Sequence, residues 1–399
     1  MREDVAMTRS GRTPGVLRRW FQTSLLLGAS ILLGLIFLEE VVRIIEPREV
    51  MRYFFTTSDP ILHHRFIPGA SGRYKTTEFD VAYTINSLGL RDREISLAKP
   101  PTTRRILMLG DSFTEGDGVE YQETFSACLQ RMLDTAALPV RWEVINGGVG
   151  SYAPVVEYIY LHNGGLALQP DMVVLNLDLS DFFDDLGYSA LARYDEHGLP
   201  LAVRPAEEPR PANALSAGLL DIKDFFKEHT RLYNFVRLRI DRYLEGSRHT
   251  IDMSGDLRYD KYAMLRPGNR LDLGQAGAIT FGALRTIRDT LAAHGVPLLV
   301  TVYPYGHQVR PDEWVAGRQF WGFKPDTLYG LEPQDEIERI LTGRGIPVAN
   351  FCRAFRDRAA SVHPLYHDYN GHWVAAGHEI IAQELYARLL PELRAAGQP

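Results

Sequence analysis

The order of elements along this chain predicts an α/β fold of three layers, with helices on both faces of a central parallel sheet and one transmembrane helix in front. Three observations carry that reading. Short continuous apolar runs, such as Ile106-Leu107-Met108-Leu109 and Met172 to Leu177, have the composition of strands buried on both faces. Between them, apolar residues recur at helical spacing, as in Phe125, Leu129, Met132 and Leu133. The stretch from Trp20 to Leu38 carries no charge, and about 20 apolar helical residues span a bilayer core.

Taken in order, residues 1–19 read as a basic cytoplasmic tail with Arg2, Arg9, Arg12, Arg18 and Arg19, and residues 20–38 as the anchor. Glu39 and Glu40 follow it. Arginines on the N-terminal side place that side in the cytoplasm and the rest of the chain outside, in a periplasm-like compartment. A cleaved signal peptide and a buried core helix are the rival readings. No small-x-small cleavage site follows Leu38.

Residues 39–104 form a membrane-proximal segment. In it Phe79, Val81, Tyr83 and Ile85 alternate like a strand, and Asn86-Ser87-Leu88-Gly89 marks a turn. Lys99 to Thr103 reads as an extended linker. The main domain is expected over 105–395. Its strands are expected at Ile106–Leu109, Val140–Ile145, Met172–Leu177, Leu298–Tyr303 and Ile346–Phe351. Helices are marked by Phe125–Leu133, by Val156, Ile159 and Tyr160, by Leu284–Leu291, which Gly295 ends, and by Ile381–Leu389. An insertion at about 186–272 breaks the rhythm. It holds a proline- and charge-rich loop, Arg204 to Ala214, and a helical pattern over Ile222 to Leu244, placed either at the rim of the site or on a solvent face.

The chain has 399 residues, a formal net charge of −6 and only two cysteines, Cys128 and Cys352. No basic stripe supports a nucleic-acid partner. Neither cysteine belongs to a C-x-x-C pair, which leaves a zinc or redox motif without support. Cys128 reads as a small buried hydrophobe, and a long-range disulfide with Cys352 stays open outside the cytoplasm. No metal or cofactor is implied.

Gly110-Asp111-Ser112-Phe113 follows the first apolar run directly. Open parallel sheets build their sites at the carboxyl ends of strands. A serine entering a helix there presents its hydroxyl together with backbone N–H donors. Alone the tripeptide more often means a turn. Later blocks strengthen it: Asn146-Gly147-Gly148-Val149-Gly150-Ser151-Tyr152 after the second strand, and His372-Trp373 with Gly377-His378 before the last helix.

With these blocks, and with Ile85-Asn86-Ser87-Leu88-Gly89-Leu90-Arg91 leading in, the chain resembles the SGNH/GDSL hydrolase superfamily over about residues 80–395, apart from the insertion. The resemblance implies a flavodoxin-like SGNH hydrolase fold and a serine esterase with no cofactor. It implies Ser112 as nucleophile and His372 as general base. The oxyanion hole would comprise the Ser112 N–H, a second-block N–H assigned to Gly150 (with Gly148 or Ser151 as alternatives), and Ser180. Two positions depart from the pattern. Ser180 stands where the family has an asparagine. The acid expected two or three residues before the histidine falls on Asn370 or Tyr369, so Asp368, four before, is the assigned acid, with a Ser–His dyad as the fallback. Asp111 is read as a hydrogen-bonder at the turn.

Other candidates carry weaker expectations. His378 is expected to pack or cap, and His63-His64 to sit in a solvated loop. His307 is a possible cleft residue. Asp181, Asp184 and Asp185 start a helix rather than bind a metal. Tyr303, Tyr305, Trp314, Trp321 and Trp373 either pack or form a sugar-stacking wall. Three functions follow from the resemblance and the topology. The first is an esterase on an ester-bearing extracytoplasmic glycan or lipid. The second is an O-acyltransferase passing the same acyl group to a polysaccharide. The third is a non-catalytic glycan- or lipid-binding module.

Overall fold

The computed structural model describes residues 14–45, 55–205, 256–266 and 273–395, and within 206–255 residues 218, 222, 223, 225, 226, 230–233, 235, 236 and 240. The chain divides into two units, Met1–Arg48 with Glu208–His249, and Glu49–Glu207 with Thr250–Pro399.

In the first unit, α1 (Pro14–Ile45) has the length and composition to cross a membrane over Arg18–Ile44, with a mean hydropathy of 2.2. Near its end the Glu39 carboxylate accepts from the N–H groups of Arg231 (3.0 Å) and Leu232 (2.8 Å). These are orphan donors at the start of a helical stretch, so the carboxylate works as a cap. Part of the insertion therefore folds with the apolar helix. The described residues 222, 223, 225, 226, 231–233, 235, 236 and 240 are helical, in keeping with the Ile222–Leu244 pattern; its other residues, and the Arg204–Ala214 loop beyond residue 205, lie outside the described residues.

The second unit opens with two antiparallel hairpins. The first pairs β1 (Thr56–Asp59) with β2 (His63–Phe66), the second β3 (Ser71–Lys75) with β4 (Asp80–Thr84). Then come β5 (Thr103–Leu109), α2 (Ser112–Glu115), α3 (Phe125–Thr135), β6 (Arg141–Asn146), α4 (Pro154–Tyr160), β7 (Met172–Leu177) and α5 (Asp181–Leu191). A small hairpin, β8 (Ala192–Tyr194) with β9 (Pro200–Val203), precedes α6 (Gly274–Ala293). The unit continues with β10 (Leu298–Val302), α7 (Gly306–Val309), α8 (Val315–Phe320), α9 (Glu332–Gly343), β11 (Val348–Asn350), α10 (Cys352–Ala359) and α11 (Ala375–Ala395).

The central sheet runs β11-β10-β7-β5-β6, every pair parallel. Counted within the sheet this is the order 2-1-3-4-5, whose switch point lies beside its first strand. That strand is β5, and Ser112 stands just past its carboxyl end. Every residue of β7 is buried, as its unbroken apolar run requires. Its one polar member, Asn176, donates to Thr114 Oγ1 (3.1 Å) and accepts from the Thr301 hydroxyl.

The structure puts the domain boundary at residue 49 rather than 105. Tyr83, Ile85 and Leu90 are core residues, and the Arg91 guanidinium is fully buried. Arg91 donates to the carbonyls of Glu115 (3.0 Å), Gly116 and Val119, closing the end of α2, and lies 3.9 Å over the Tyr83 ring. The run from Ile85 to Arg91 is thus a structural part of the domain. Lys99, read as linker, is pinned to Asp171 at 2.8 Å. Cys128 and Cys352 are buried and free, which removes the disulfide.

Close backbone approach sets the second block. A Cβ on Gly148 would lie 2.3 Å from Glu115 N and 2.6 Å from the Thr114 carbonyl carbon, atoms that cannot swing aside. Gly282, on α6, has nothing within 4 Å of that position. Gly148→Ala should therefore destabilise the protein by about 1–3 kcal/mol or more. Gly282→Ala should stabilise it by roughly 0.4–1 kcal/mol. Thermal denaturation of the detergent-solubilised chain reads both, and equal shifts would refute the packing argument.

Candidate active site

Ser112 is the first residue of α2. The Asp111 carboxylate accepts from the Phe113 N–H (2.9 Å) and so caps that short helix. Asp111 is accordingly a turn residue, as the sequence suggested. Ser112 Oγ lies 2.6 Å from His372 Nε2, across 260 residues of chain. The Phe113 ring packs against the imidazole with centroids 4.7 Å apart.

The other imidazole nitrogen faces a group the sequence reading passed over. His372 Nδ1 bonds Asn370 Oδ1, which also accepts from the His372 N–H at 3.1 Å. That second bond fixes which end of the amide points at the ring, because a backbone N–H must meet the oxygen. Nδ1 therefore carries the proton, and Nε2 is left to accept from the Ser112 hydroxyl.

Asp368, the acid assigned from sequence, is placed differently. Its Oδ1 accepts from the N–H groups of Val315 (2.7 Å) and Ala316 (3.2 Å), the unsatisfied donors at the start of α8. Helix capping engages this carboxylate, and Asn370 stands at the imidazole. The loop is shaped by two more carboxylates. Glu313 accepts from Leu365 and Tyr366 N–H. Glu78, between β3 and β4, accepts from Tyr369 (2.8 Å) and Asn370 (2.7 Å) N–H.

The expected oxyanion donors also divide. Gly150 N–H donates to Glu115 Oε2 (2.6 Å), and Gly148 N–H to Asn146 Oδ1 (3.0 Å), so both are occupied. Among the described residues the N–H groups of Ser112 and Ser151 have no acceptor. Ser151 adopts φ of 64°, a left-handed turn in which the N–H is not drawn into regular pairing. Ser180 precedes α5, its own N–H bonded to Asp178 Oδ1, and its hydroxyl makes no hydrogen bond among the described residues.

A cleft of about 1130 Å³ opens beside His372, its walls including His63, His64, Ser151, Asp184, Tyr188 and Asn370. Leu186 to Leu191 and Arg258 also line it, so the ends of the insertion reach the rim. His63 and His64 belong to β2 and are half-buried, not part of a solvated loop. The aromatic wall does not form. Tyr303, Tyr305, Trp314 and Trp373 are core residues, and Trp321 packs on Tyr262. His307 is buried among Trp314, Phe323 and Tyr329. His378 is buried and takes the Phe125 N–H at 3.3 Å, with burial lowering its pKa to about 3.

Acidic residues crowd beneath the Ser112 turn. Burial pushes Asp111, Asp181 and Glu157 well above the usual carboxylate range, and the charges of Asp178, Asp111 and Asp185, respectively, add to it. Burial also raises Asp184 and Asp185 to about 7. Asp185 accepts from Val155 N–H (2.9 Å) and the Thr280 hydroxyl (2.7 Å), tying α4, α5 and α6 together. These acids start and brace a helix, in line with their sequence reading.

No sequence-family model matches the chain, and no curated relative does. Among solved structures the chain is similar to a two-domain esterase active on acetylated mannans. The identity is 12% over 74% of this chain and 51% of that one, with a TM-score of 0.35. The present chain thus spans about half the length of that protein. It is also similar to an acetylxylan esterase from Geobacillus stearothermophilus, at 12% identity over 72% and 94% of the two chains and a TM-score of 0.38. A G-D-S-L lipolytic protein from Desulfitobacterium hafniense shows 11% identity over 71% and 98%, with a TM-score of 0.33.

The acid bed makes stability depend on pH in a defined sense. The Asp185 carboxyl rises from 3.8 to about 7 on folding. The folded state therefore holds its proton more tightly, and the wild type loses stability as pH climbs through that window. Asparagine copies the protonated shape and cannot ionise. Asp185→Asn should gain on the wild type by on the order of 2–4 kcal/mol across the same window. Melting temperatures over a pH series measure it, and a gap independent of pH would contradict it.

Proposed function

We propose that the protein is a membrane-anchored serine esterase that cleaves an extracytoplasmic O-ester through an acyl-serine intermediate on Ser112. The observation that carries this is the continuous line Ser112 Oγ, His372 Nε2, His372 Nδ1 and Asn370 Oδ1. A serine hydroxyl is a poor nucleophile until a base takes its proton. Here the imidazole is already within reach and in the correct tautomer.

In the forward step His372 accepts the Ser112 proton as Oγ attacks the ester carbonyl. The oxyanion is met by the N–H groups of Ser112 and Ser151 and by the Ser180 hydroxyl. His372 then returns the proton to the leaving alkoxide, and the same cycle with water releases the acid. Asn370 fixes the tautomer as an aspartate would but supplies no negative charge to the imidazolium. The amide therefore gives orientation without the electrostatic part of a triad. The anchor is α1, with its basic end in the cytoplasm by the charge rule. The polar cleft wall of His63, Asp184, Arg258 and Gln275 suits a hydroxylated substrate such as a glycan.

The detergent-solubilised chain should hydrolyse an aryl acetate and be labelled at Ser112 by a fluorophosphonate. Ser112→Ala should abolish both, and His372→Ala should lower kcat by about 10³-fold or more. Asn370→Asp should raise kcat about tenfold, a gain of roughly 1.4 kcal/mol for placing charge beside the imidazolium. Asp368→Ala should act on thermal stability more than on kcat. Wild-type protein that neither labels nor turns over any ester would overturn the reading. Acyl release accelerated by an added glycan in place of water would assign acyl transfer.

Orientation is checked separately. A reporter fused at the C-terminus should be active only outside the cytoplasm, and a cytoplasmic signal would refute the anchor topology.

A further inference from the structure

The β1–β2 hairpin contributes Thr56, His63 and His64 to the lining of the cleft, and its hydrogen bonding has a direction. His64 Nε2 lies 2.8 Å from the Gly150 carbonyl oxygen. A carbonyl only accepts, so this nitrogen carries the hydrogen. Neutral His64 then has a lone pair at Nδ1, which faces His63 Nδ1 at 3.0 Å. The His63 Nδ1 must therefore donate, and the lone pair of a neutral His63 is left at Nε2. That nitrogen has no partner among the described residues. Burial lowers the His63 pKa, which favours the neutral ring.

The ring is held in place. His63 has φ of 65°, a conformation histidine adopts more readily than most residues, and it is half-buried. Tyr188 meets its face edge-on at 5.3 Å, and the Tyr188 hydroxyl donates to the Ser151 carbonyl at 2.8 Å. The Tyr152 hydroxyl donates to the His64 carbonyl at 2.7 Å. His63 thus lines the same cleft as His372 and Ser151, with an oriented acceptor on a rigid support.

We propose that His63 Nε2 is a specificity subsite that accepts a hydrogen bond from a free hydroxyl of the sugar bearing the ester. The relay Gly150 carbonyl, His64, His63 ties this subsite to the block that also carries Ser151. A substrate hydroxyl bound at His63 is therefore referenced to the oxyanion donor. The inference rests on the esterase reading and deepens it by naming what the leaving alcohol must offer.

The test compares a singly acetylated methyl xyloside, which keeps free hydroxyls, with its fully acetylated counterpart, using full-length protein in detergent. The wild type should prefer the first. His63→Phe keeps the ring against Tyr188 and removes both nitrogens. It should lower the ratio of the two kcat/KM values about three- to tenfold, the worth of one hydrogen bond, through KM rather than kcat. His63→Asn, which tolerates the left-handed backbone, should do the same and guards against a folding defect in the first variant. Binding of the singly acetylated xyloside to Ser112→Ala protein, followed by NMR titration, should weaken by the same factor when His63→Phe is added. An unchanged ratio and unchanged binding in folded variants would overturn the subsite. A parallel loss on both substrates would also overturn it, because His63 would then act only by supporting the Gly150 backbone. Absence of all wild-type turnover with His63-dependent binding would instead sink the esterase reading and leave the subsite standing.

Discussion

The geometry at Ser112 depends on the buried carboxylate of Glu115, the last residue of the same short helix. It accepts from the Gly150 N–H and from the Tyr83 hydroxyl. One acceptor thus joins the Ser112 helix, the second block and the hairpin that precedes the sheet. A carboxylate has no reason to be fully buried unless its lone pairs are met. Removing it would leave two buried donors unsatisfied, each costing about 1–3 kcal/mol. The Arg91 guanidinium closes that same end of the helix through the carbonyls of Glu115 and Gly116, so the C-terminal end of α2 is held by residues from outside the central sheet. The same bond that secures the second block also occupies the Gly150 N–H, while the adjacent Ser151 N–H has no acceptor among the described residues.

The sheet was legible because its strands are buried on both faces and announce themselves as unbroken apolar runs. Met172–Leu177 is reproduced residue for residue, and the other central strands differ only at their ends. That Ser112 and His372 would come together was legible because each sits at a strand end or before a helix in a recognisable block. Their approach to 2.6 Å is the long-range outcome those blocks imply. The choice among Asp368, Tyr369 and Asn370 was not legible. A carboxylate near a histidine is an attractive partner, but Asp368 also faces two unsatisfied helix donors. Spacing cannot weigh a demand that arises from residues 315 and 316. The occupation of the Gly150 N–H was not legible for the same reason, since nothing local shows that Glu115 already holds it.

The membrane-proximal segment was misjudged for a different reason. Its strands are short and half-exposed, and each has only one sheet partner, so the periodicity looks like decoration. Its real contribution is through single side chains. Tyr83 and Arg91 brace α2. Glu78 accepts from the Tyr369 and Asn370 N–H groups, contacts spanning 291 and 292 residues. His64 reaches the Gly150 carbonyl across 86 residues. Contacts at such separations leave no local pattern, and only the closed fold reveals them.

Asparagine at position 370 makes sense beside this arrangement of charge. The bed beneath Ser112 holds five acids whose protonated forms burial favours: Asp111, Glu157, Asp181, Asp184 and Asp185. Glu78 already brings a carboxylate to the backbone of Asn370 itself. An aspartate at 370 would place a second negative charge in the same loop, and the mutual repulsion would be a cost to folding stability. The amide avoids the conflict. It keeps the oxygen that fixes the imidazole tautomer and leaves Glu78 as the clamp on the backbone. On the proposed mechanism the cost is weaker stabilisation of the imidazolium that forms when Ser112 gives up its proton. On the proposed mechanism the loop favours a well-defined resting geometry over the strongest electrostatic assistance, and the rate would depend more heavily on the N–H groups of Ser112 and Ser151 and the Ser180 hydroxyl.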